Sequence, residues 1–191
     1  MNFRISSPLL YSFVLTGESF QFGFVRQEVG AIKAKVLLSF WPWHDIFFKL
    51  LNMFAELSSK VSDLEFENFI AMAIDKLVPP EQKLLNLTFC DTKGFIIKEL
   101  TFRRPIENEF LSIPQNHNLN MFFNYIKPET MVEIFAVLLA ERRIIFVSSN
   151  LDKISSCVQA SCSLLYPMFW QHVFIPILPM DLKDVLAGPM P

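Results

Sequence analysis

Residues 141–178 read ERRIIFVSSNLDKISSCVQASCSLLYPMFWQHVFIPIL, and the order of patterns inside them decides the fold class. Residues 142–148 are a short β-rich run, and 151–166 recur at helical spacing with Ile154, Cys157, Val158, Cys162 and Leu165 on one face. Residues 173–178 are then almost wholly apolar. The expectation is strand, helix, strand. Neither strand alternates apolar with polar residues, the pattern of parallel strands covered on both faces, and the connection is long enough for a right-handed crossover. Just upstream, Pro128 suits the first turn of a helix carrying Met131, Ile134, Phe135 and Leu138 on one face.

Working back toward the N-terminus, residues 11–16, 20–27 and 35–39 are aromatic and β-branched, the first two separated by the turn-like Gly17-Glu18-Ser19. They predict an antiparallel meander. Trp43, Ile46, Phe47, Leu50, Leu51, Phe54 and Leu57 then fall at helical spacing, with Pro42 fit for the first turn and Asp45 favourable near the N-terminus. A second helix is expected from Ser62, whose hydroxyl forms a capping-box pattern with Glu65. It would run through Phe66, Phe69, Ile70, Ala73, Ile74 and Leu77 to a stop at Pro79-Pro80. Residues 84–89 and 95–97 read as two strands around Asp91-Thr92-Lys93-Gly94, completing an α+β lobe. From 103 to 120 the chain reads as polar and irregular, with Pro105, Pro114 and the run Gln115-Asn116-His117-Asn118 poor material for element interiors. The lobe boundary is expected there.

A chain of 191 residues can bury a real core. Its net charge of −2 gives no footprint for a nucleic-acid partner. The apolar fraction of 52%, with 21 phenylalanines, is high for a soluble domain, yet the greasiest runs are far shorter than a membrane span requires. The first ten residues show no secretory pattern. Cys90, Cys157 and Cys162 are an odd number without framework spacing, which predicts a reduced, intracellular chain and makes the sequon Asn86-Leu87-Thr88 a decoy.

Several chemistries can be weighed directly. Gly17, Gly23, Gly30, Gly94 and Gly188 are not spaced as a phosphate-binding loop, so the chain is not expected to bind a nucleotide itself. The three cysteines, with His44, His117 and His172, lack paired metal-ligand spacing, and Cys157 and Cys162 read as core packing. Ser148 and Ser149 lack the Gly-x-Ser-x-Gly turn of a hydrolase, and Ser149 or Asn150 reads instead as the cap of the next helix. Glu141-Arg142-Arg143 suggests a structural ion pair ahead of a phosphate-seeking finger. In Phe40-Trp41-Pro42-Trp43, Trp43 fits the buried helical face; Trp41 does not, and offers an anchor for a partner.

The string Leu139-Ala140-Glu141-Arg142-Arg143-Ile144-Ile145-Phe146-Val147-Ser148-Ser149 is followed by Leu164-Leu165-Tyr166-Pro167, Trp170-Gln171-His172, Ile175-Pro176-Ile177-Leu178-Pro179 and Ala187-Gly188-Pro189-Met190-Pro191. In order and spacing it resembles the central DENN module. Upstream, Ser12-Phe13-Val14-Leu15-Thr16, Phe22-Gly23-Phe24, Leu38-Ser39-Phe40-Trp41-Pro42-Trp43 and Lys49-Leu50-Leu51-Asn52 look like the upstream DENN module. Ser112-Ile113-Pro114 with Asn118-Leu119 fits the segment that joins them. Within the DENN domain family the chain is most similar to the connecdenn group, the DENN domain 1 proteins.

The resemblance implies an α/β protein with an α+β, longin-like N-lobe of antiparallel sheet and helices, and a flavodoxin-like three-layer C-lobe with parallel strands, incomplete at both ends. Residues 1–102 would be the partial upstream lobe, 103–127 the joining segment and 128–191 the central module, cut before the downstream module. It implies a guanine nucleotide exchange factor, without covalent chemistry or cofactor, for a Rab GTPase such as Rab35 in endocytic trafficking and endosome recycling. The GTPase would sit nucleotide-free in the cleft between lobes. The chain would be cytoplasmic and peripheral on endosomes or clathrin-coated vesicles, with clathrin-coat or adaptor association through regions outside it. The expected GTPase contacts are Phe40 and Trp41 of the N-lobe, and Ser149, Asn150 and Asp181 at strand ends of the C-lobe, where open α/β sheets bind ligands. The alternative is a non-catalytic adaptor, or an inactive truncated isoform, that binds the GTPase without exchange.

Overall fold

In the computed structural model the described residues are 8–15, 21–76, 80, 83–91, 93–104, 117–166 and 168–188. The turn expected at Gly17-Glu18-Ser19 and the helix stop at Pro79 lie outside them. The chain divides into two compact units, one of residues 1–45 with 110–191 and one of residues 46–109.

In the first unit, β1 (Leu9–Leu15), β2 (Gln21–Gln27) and β3 (Ala34–Ser39) form the expected meander, a three-stranded antiparallel sheet in the order β1-β2-β3. Phe24 and Val25 of β2 are buried. Gly23 faces Phe13 across the ladder, and any Cβ at Gly23 would run into the Phe13 ring, so glycine makes room for the aromatic cover.

Among the described residues the unit also carries three α-helices: α3 (His117–Tyr125), α4 (Pro128–Leu139) and α5 (Leu151–Ser163). Helix α5 packs on both α3 and β1. Leu119, Phe122, Ile134, Leu138, Cys157, Ala160 and Leu165 make the apolar core, with Ile144, Phe146 and Trp170 packed against it. Polar residues lock the α5 to β1 contact. The Ser12 N–H donates to Ser155 Oγ at 2.9 Å, Ser155 Oγ donates to the Ser12 carbonyl at 3.1 Å, and the two hydroxyls lie 3.0 Å apart. Burying these groups is tolerable because each finds its partner in the other residue.

The mixed α/β content agrees with the sequence reading, but both sheets are antiparallel, and the parallel strands expected at 142–148 and 173–178 are absent among the described residues. Burial alternates over residues 143–147 and 173–176. Ile144 and Phe146 lie on the core while Ile145 and Val147 face outward, Val147 at 89% exposure. An apolar run asks to be covered without saying by what. A parallel strand needs a ladder neighbour as well as two covered faces, and here each run has one covered face and no ladder neighbour among the described residues. After the second run, residues Met180–Ala187 wind into a 3₁₀ helix.

The irregular stretch expected to reach residue 120 ends earlier, because α3 begins at His117. Asn118 and Leu119 are buried in it. Its first N–H is satisfied from outside the helix: Asp45 Oδ1 accepts from His117 N at 2.9 Å across 72 residues.

In the second unit, α1 (His44–Leu57) continues from residue 46 and buries Ile46, Leu50, Leu51, Phe54 and Leu57 of the expected face, adding Phe48 and Met53. Helix α2 (Asp63–Ile74) carries the expected capping box: Ser62 Oγ accepts from Glu65 N at 3.4 Å, and Glu65 Oε2 accepts from Ser62 N at 3.1 Å. Strands β4 (Leu84–Cys90) and β5 (Ile96–Arg103) pair antiparallel. Asp91 Oδ1 shapes their turn by accepting from Lys93 N and Phe95 N at 2.9 and 2.8 Å, and Gly94 supplies the positive φ of 84°. Phe54, Phe66, Phe69 and Phe89 meet edge to face, with centroids 5.3 to 6.4 Å apart.

Candidate functional site

All five expected contact residues fall in the first unit, on three elements. Phe40 and Trp41 follow β3, where Ser39 Oγ accepts from Trp41 N at 3.1 Å and bends the chain out of the sheet. Phe40 is 62% exposed and Trp41 36%. The Trp41 ring stacks on Trp43 with centroids 5.2 Å apart and planes 23° from parallel. A large aromatic surface is therefore held in one orientation before any partner arrives, which lowers the ordering cost of binding.

His44 braces the turn between the two tryptophans. Its Nδ1 lies 2.9 Å from the Pro42 carbonyl, which can only accept, so Nδ1 carries the proton. Its ring meets Phe24 edge-on at 5.2 Å. Burial drives the His44 imidazole down to about 4, against the opposing pull of the Pro42 bond and with a further push from His117. At neutral pH it is an uncharged ring packed against Phe24 of β2.

Ser149 and Asn150 lie at the N-terminus of α5. Ser149 is exposed, and Asn150 is the helix cap, its side-chain oxygen accepting from Asp152 N at 2.9 Å. The Ser148 hydroxyl accepts from Asn150 N at 3.1 Å, so it serves the turn. The two patches are tied through a polar run that the sequence reading did not single out. Asp45, adjacent to His44, holds His117 N, and His117 Nε2 lies 3.5 Å from Oδ1 of Asp152, the residue Asn150 caps. The only sequence signal for it was an acidic residue in the first turn of each helix, Asp45 in α1 and Asp152 in α5.

Asp181 is exposed in the first turn of the 3₁₀ helix. Arg143 anchors the far end of that helix, donating to the carbonyls of Leu186 and Gly188 at 3.2 and 3.4 Å. The expected Glu-Arg ion pair is thus replaced: Arg143 takes carbonyl acceptors, and Glu141 Oε2 lies 3.3 Å from His172 Nε2. An arginine occupied in this way is not a free finger for phosphate.

Cys157 and Cys162 behave as packing. Burial pushes the Cys162 thiol up to about 11 and raises Cys157, helped there by Asp152, so neither is a thiolate at neutral pH. Among the described residues no three His, Cys, Asp or Glu side chains gather as a metal site, and no helix is long and apolar enough to cross a membrane.

A family profile, the DENN (AEX-3) domain, matches residues 31–191. The chain belongs to the DENN domain family. It is 33% identical over 183 residues to mouse DENN domain-containing protein 1A, covering 95% of this chain and 17% of the relative. Against mouse DENN domain-containing protein 1C the identity is 36% over 191 residues, covering 90% of this chain and 23% of the relative. Human DENN domain-containing protein 2B is 34% identical over 190 residues, covering 95% and 16%. The chain thus spans less than a quarter of the length of these relatives.

Proposed function

We propose that the chain carries GTPase-binding surface of a Rab guanine nucleotide exchange factor, with a Rab35-like GTPase of endocytic trafficking as partner. Membership of the DENN family over residues 31–191 carries the reading. The preset aromatic pair Trp41 and Trp43 beside exposed Phe40 supports the choice of surface. Ser149, Asn150 and Asp181 are the further contacts proposed. In chain order the modules are 1–102 upstream, 103–127 joining and 128–191 central. The protein acts peripherally on endosome or vesicle membranes, and clathrin-coat or adaptor association runs through regions outside this chain.

Exchange is a linkage effect. A surface that binds the nucleotide-free GTPase more tightly than the GDP-bound form weakens GDP binding by the same factor. A coupling of about 1–3 kcal/mol gives only about 5- to 150-fold, so useful exchange requires displacing a segment that holds the nucleotide. Contact residues are therefore the ones to alter.

Equilibrium binding to a Rab35-type GTPase, nucleotide-free and GDP-loaded, tests the reading. Tighter binding to the nucleotide-free form is expected. Trp41→Ala, with an unchanged circular dichroism spectrum, should weaken it by about tenfold or more, as loss of an aromatic anchor does. Asn150→Ser keeps a capping oxygen and removes the amide, so a folded variant that also binds more weakly places Asn150 in the contact. Equal affinity for both GTPase forms supports the adaptor reading instead.

A further inference from the structure

The turn between β2 and β3 presents apolar side chains outward. Ile32 is fully exposed, at 101%, and Val29 is 53% exposed. This is an ordered projection. Ala31 N donates to the Glu28 carbonyl at 3.0 Å, Gln27 Nε2 donates to the Ala31 carbonyl at 2.8 Å, and Gly30 takes the positive φ of 79° that the turn requires.

Charge surrounds that tip. Lys33 and Lys35 are exposed just behind it, and Lys35 sits directly opposite Arg26 across the β2–β3 ladder, a like-charge pair that the fold does not reward. The nearby acid, Glu28, is engaged by Arg26. With Arg26 largely buried and paired to Glu28, the exposed cations beside the tip are Lys33 and Lys35, in a chain whose net charge is −2. The combination of a convex apolar tip and a cationic collar fits a deformable anionic surface. A protein pocket for this tip would have to be concave and acidic, whereas a bilayer accepts a projecting aliphatic side chain while lysine heads remain among its phosphates.

We infer that the β2–β3 hairpin is a membrane-contact element, inserting Val29 and Ile32 into the interfacial region of an anionic bilayer while Lys33 and Lys35 meet its headgroups. The inference deepens the peripheral membrane association proposed above by assigning it to one element, and it does not require the GTPase.

The test is co-sedimentation of the full chain with phosphatidylcholine vesicles, with and without phosphatidylserine. The chain should pellet with the phosphatidylserine vesicles, less so as salt is raised. Ile32→Asp, and separately Lys33→Glu combined with Lys35→Glu, should each reduce partitioning by about tenfold or more. Because these positions are exposed, thermal unfolding should not be lowered: Ile32→Asp leaves it unchanged, and Lys35→Glu relieves the like-charge pair with Arg26. No partitioning of the parent chain, or equal partitioning of folded variants, overturns the inference. GTPase affinity separates the two readings: it should be unaffected by Ile32→Asp, and vesicle binding by a chain that binds no GTPase removes the exchange reading while leaving the hairpin its role. Loss of GTPase binding in Ile32→Asp without loss of vesicle binding would assign the tip to the protein partner and overturn the membrane assignment.

Discussion

Glu141 closes α4 in a left-handed conformation, with φ of 53°. Its N–H bonds the Leu138 carbonyl at 3.0 Å and the Arg142 N–H bonds the Val137 carbonyl at 3.0 Å, the paired closure that glycine usually provides. A side chain there costs about 1–2 kcal/mol, so Glu141→Gly should raise stability by about 1 kcal/mol after its greater unfolded-state entropy and the lost His172 contact are deducted. Chemical denaturation of the two chains measures this. His44 predicts a pH dependence whose sign follows from its depressed value. Between pH 6.5 and about 4 the unfolded chain takes up a proton that the folded chain refuses. Its contribution is therefore whole above pH 6.5 and is lost as the pH falls through that window, at about 3 kcal/mol in all. His44→Gln should flatten that part of the stability profile; an unchanged profile would show that His44 is not its source.

At the scale of elements, the clamp between β1 and α5 carries the sharpest expectation. Ser155→Ala strips Ser12 of its side-chain partner and leaves a buried N–H unsatisfied, at a cost of about 1–3 kcal/mol in a denaturant titration. Ser12 and Ser155 are 143 residues apart, and nothing in either neighbourhood marks them in the sequence. Local signals fared differently. The Ser62–Glu65 box and the Asn150 cap are legible because donor and acceptor lie within three residues of each other. The meander is legible because its segments are short, aromatic and β-branched, with turn-like residues between the first two. The start of α3 is not, since the oxygen that satisfies His117 N comes from Asp45, far away in sequence. Residues 142–148 and 173–178 misled for a related reason: apolar composition reports a demand for cover, while the ladder that makes a strand is supplied by other segments.

At the scale of the whole molecule, the surroundings of the proposed contact residues were partly legible in the sequence. Phe40 and Trp41 were picked out because two tryptophans flank a proline and only Trp43 fits the helix face; the structure leaves Phe40 and Trp41 exposed and stacks Trp41 on Trp43. The run through His44, Asp45, His117 and Asp152 toward Asn150 was not legible, because it joins residues through folding alone. Its consequence is that the aromatic patch and the α5 cap share one polar support. The central claim, that this surface serves nucleotide exchange, is tested most directly by release of fluorescent GDP from a Rab35-type GTPase in the presence of excess unlabelled GTP. Adding the chain should accelerate release in proportion to its concentration, and Trp41→Ala should reduce the acceleration. Release at the intrinsic rate, from a chain shown in the same sample to be folded and bound to the GTPase, would contradict it.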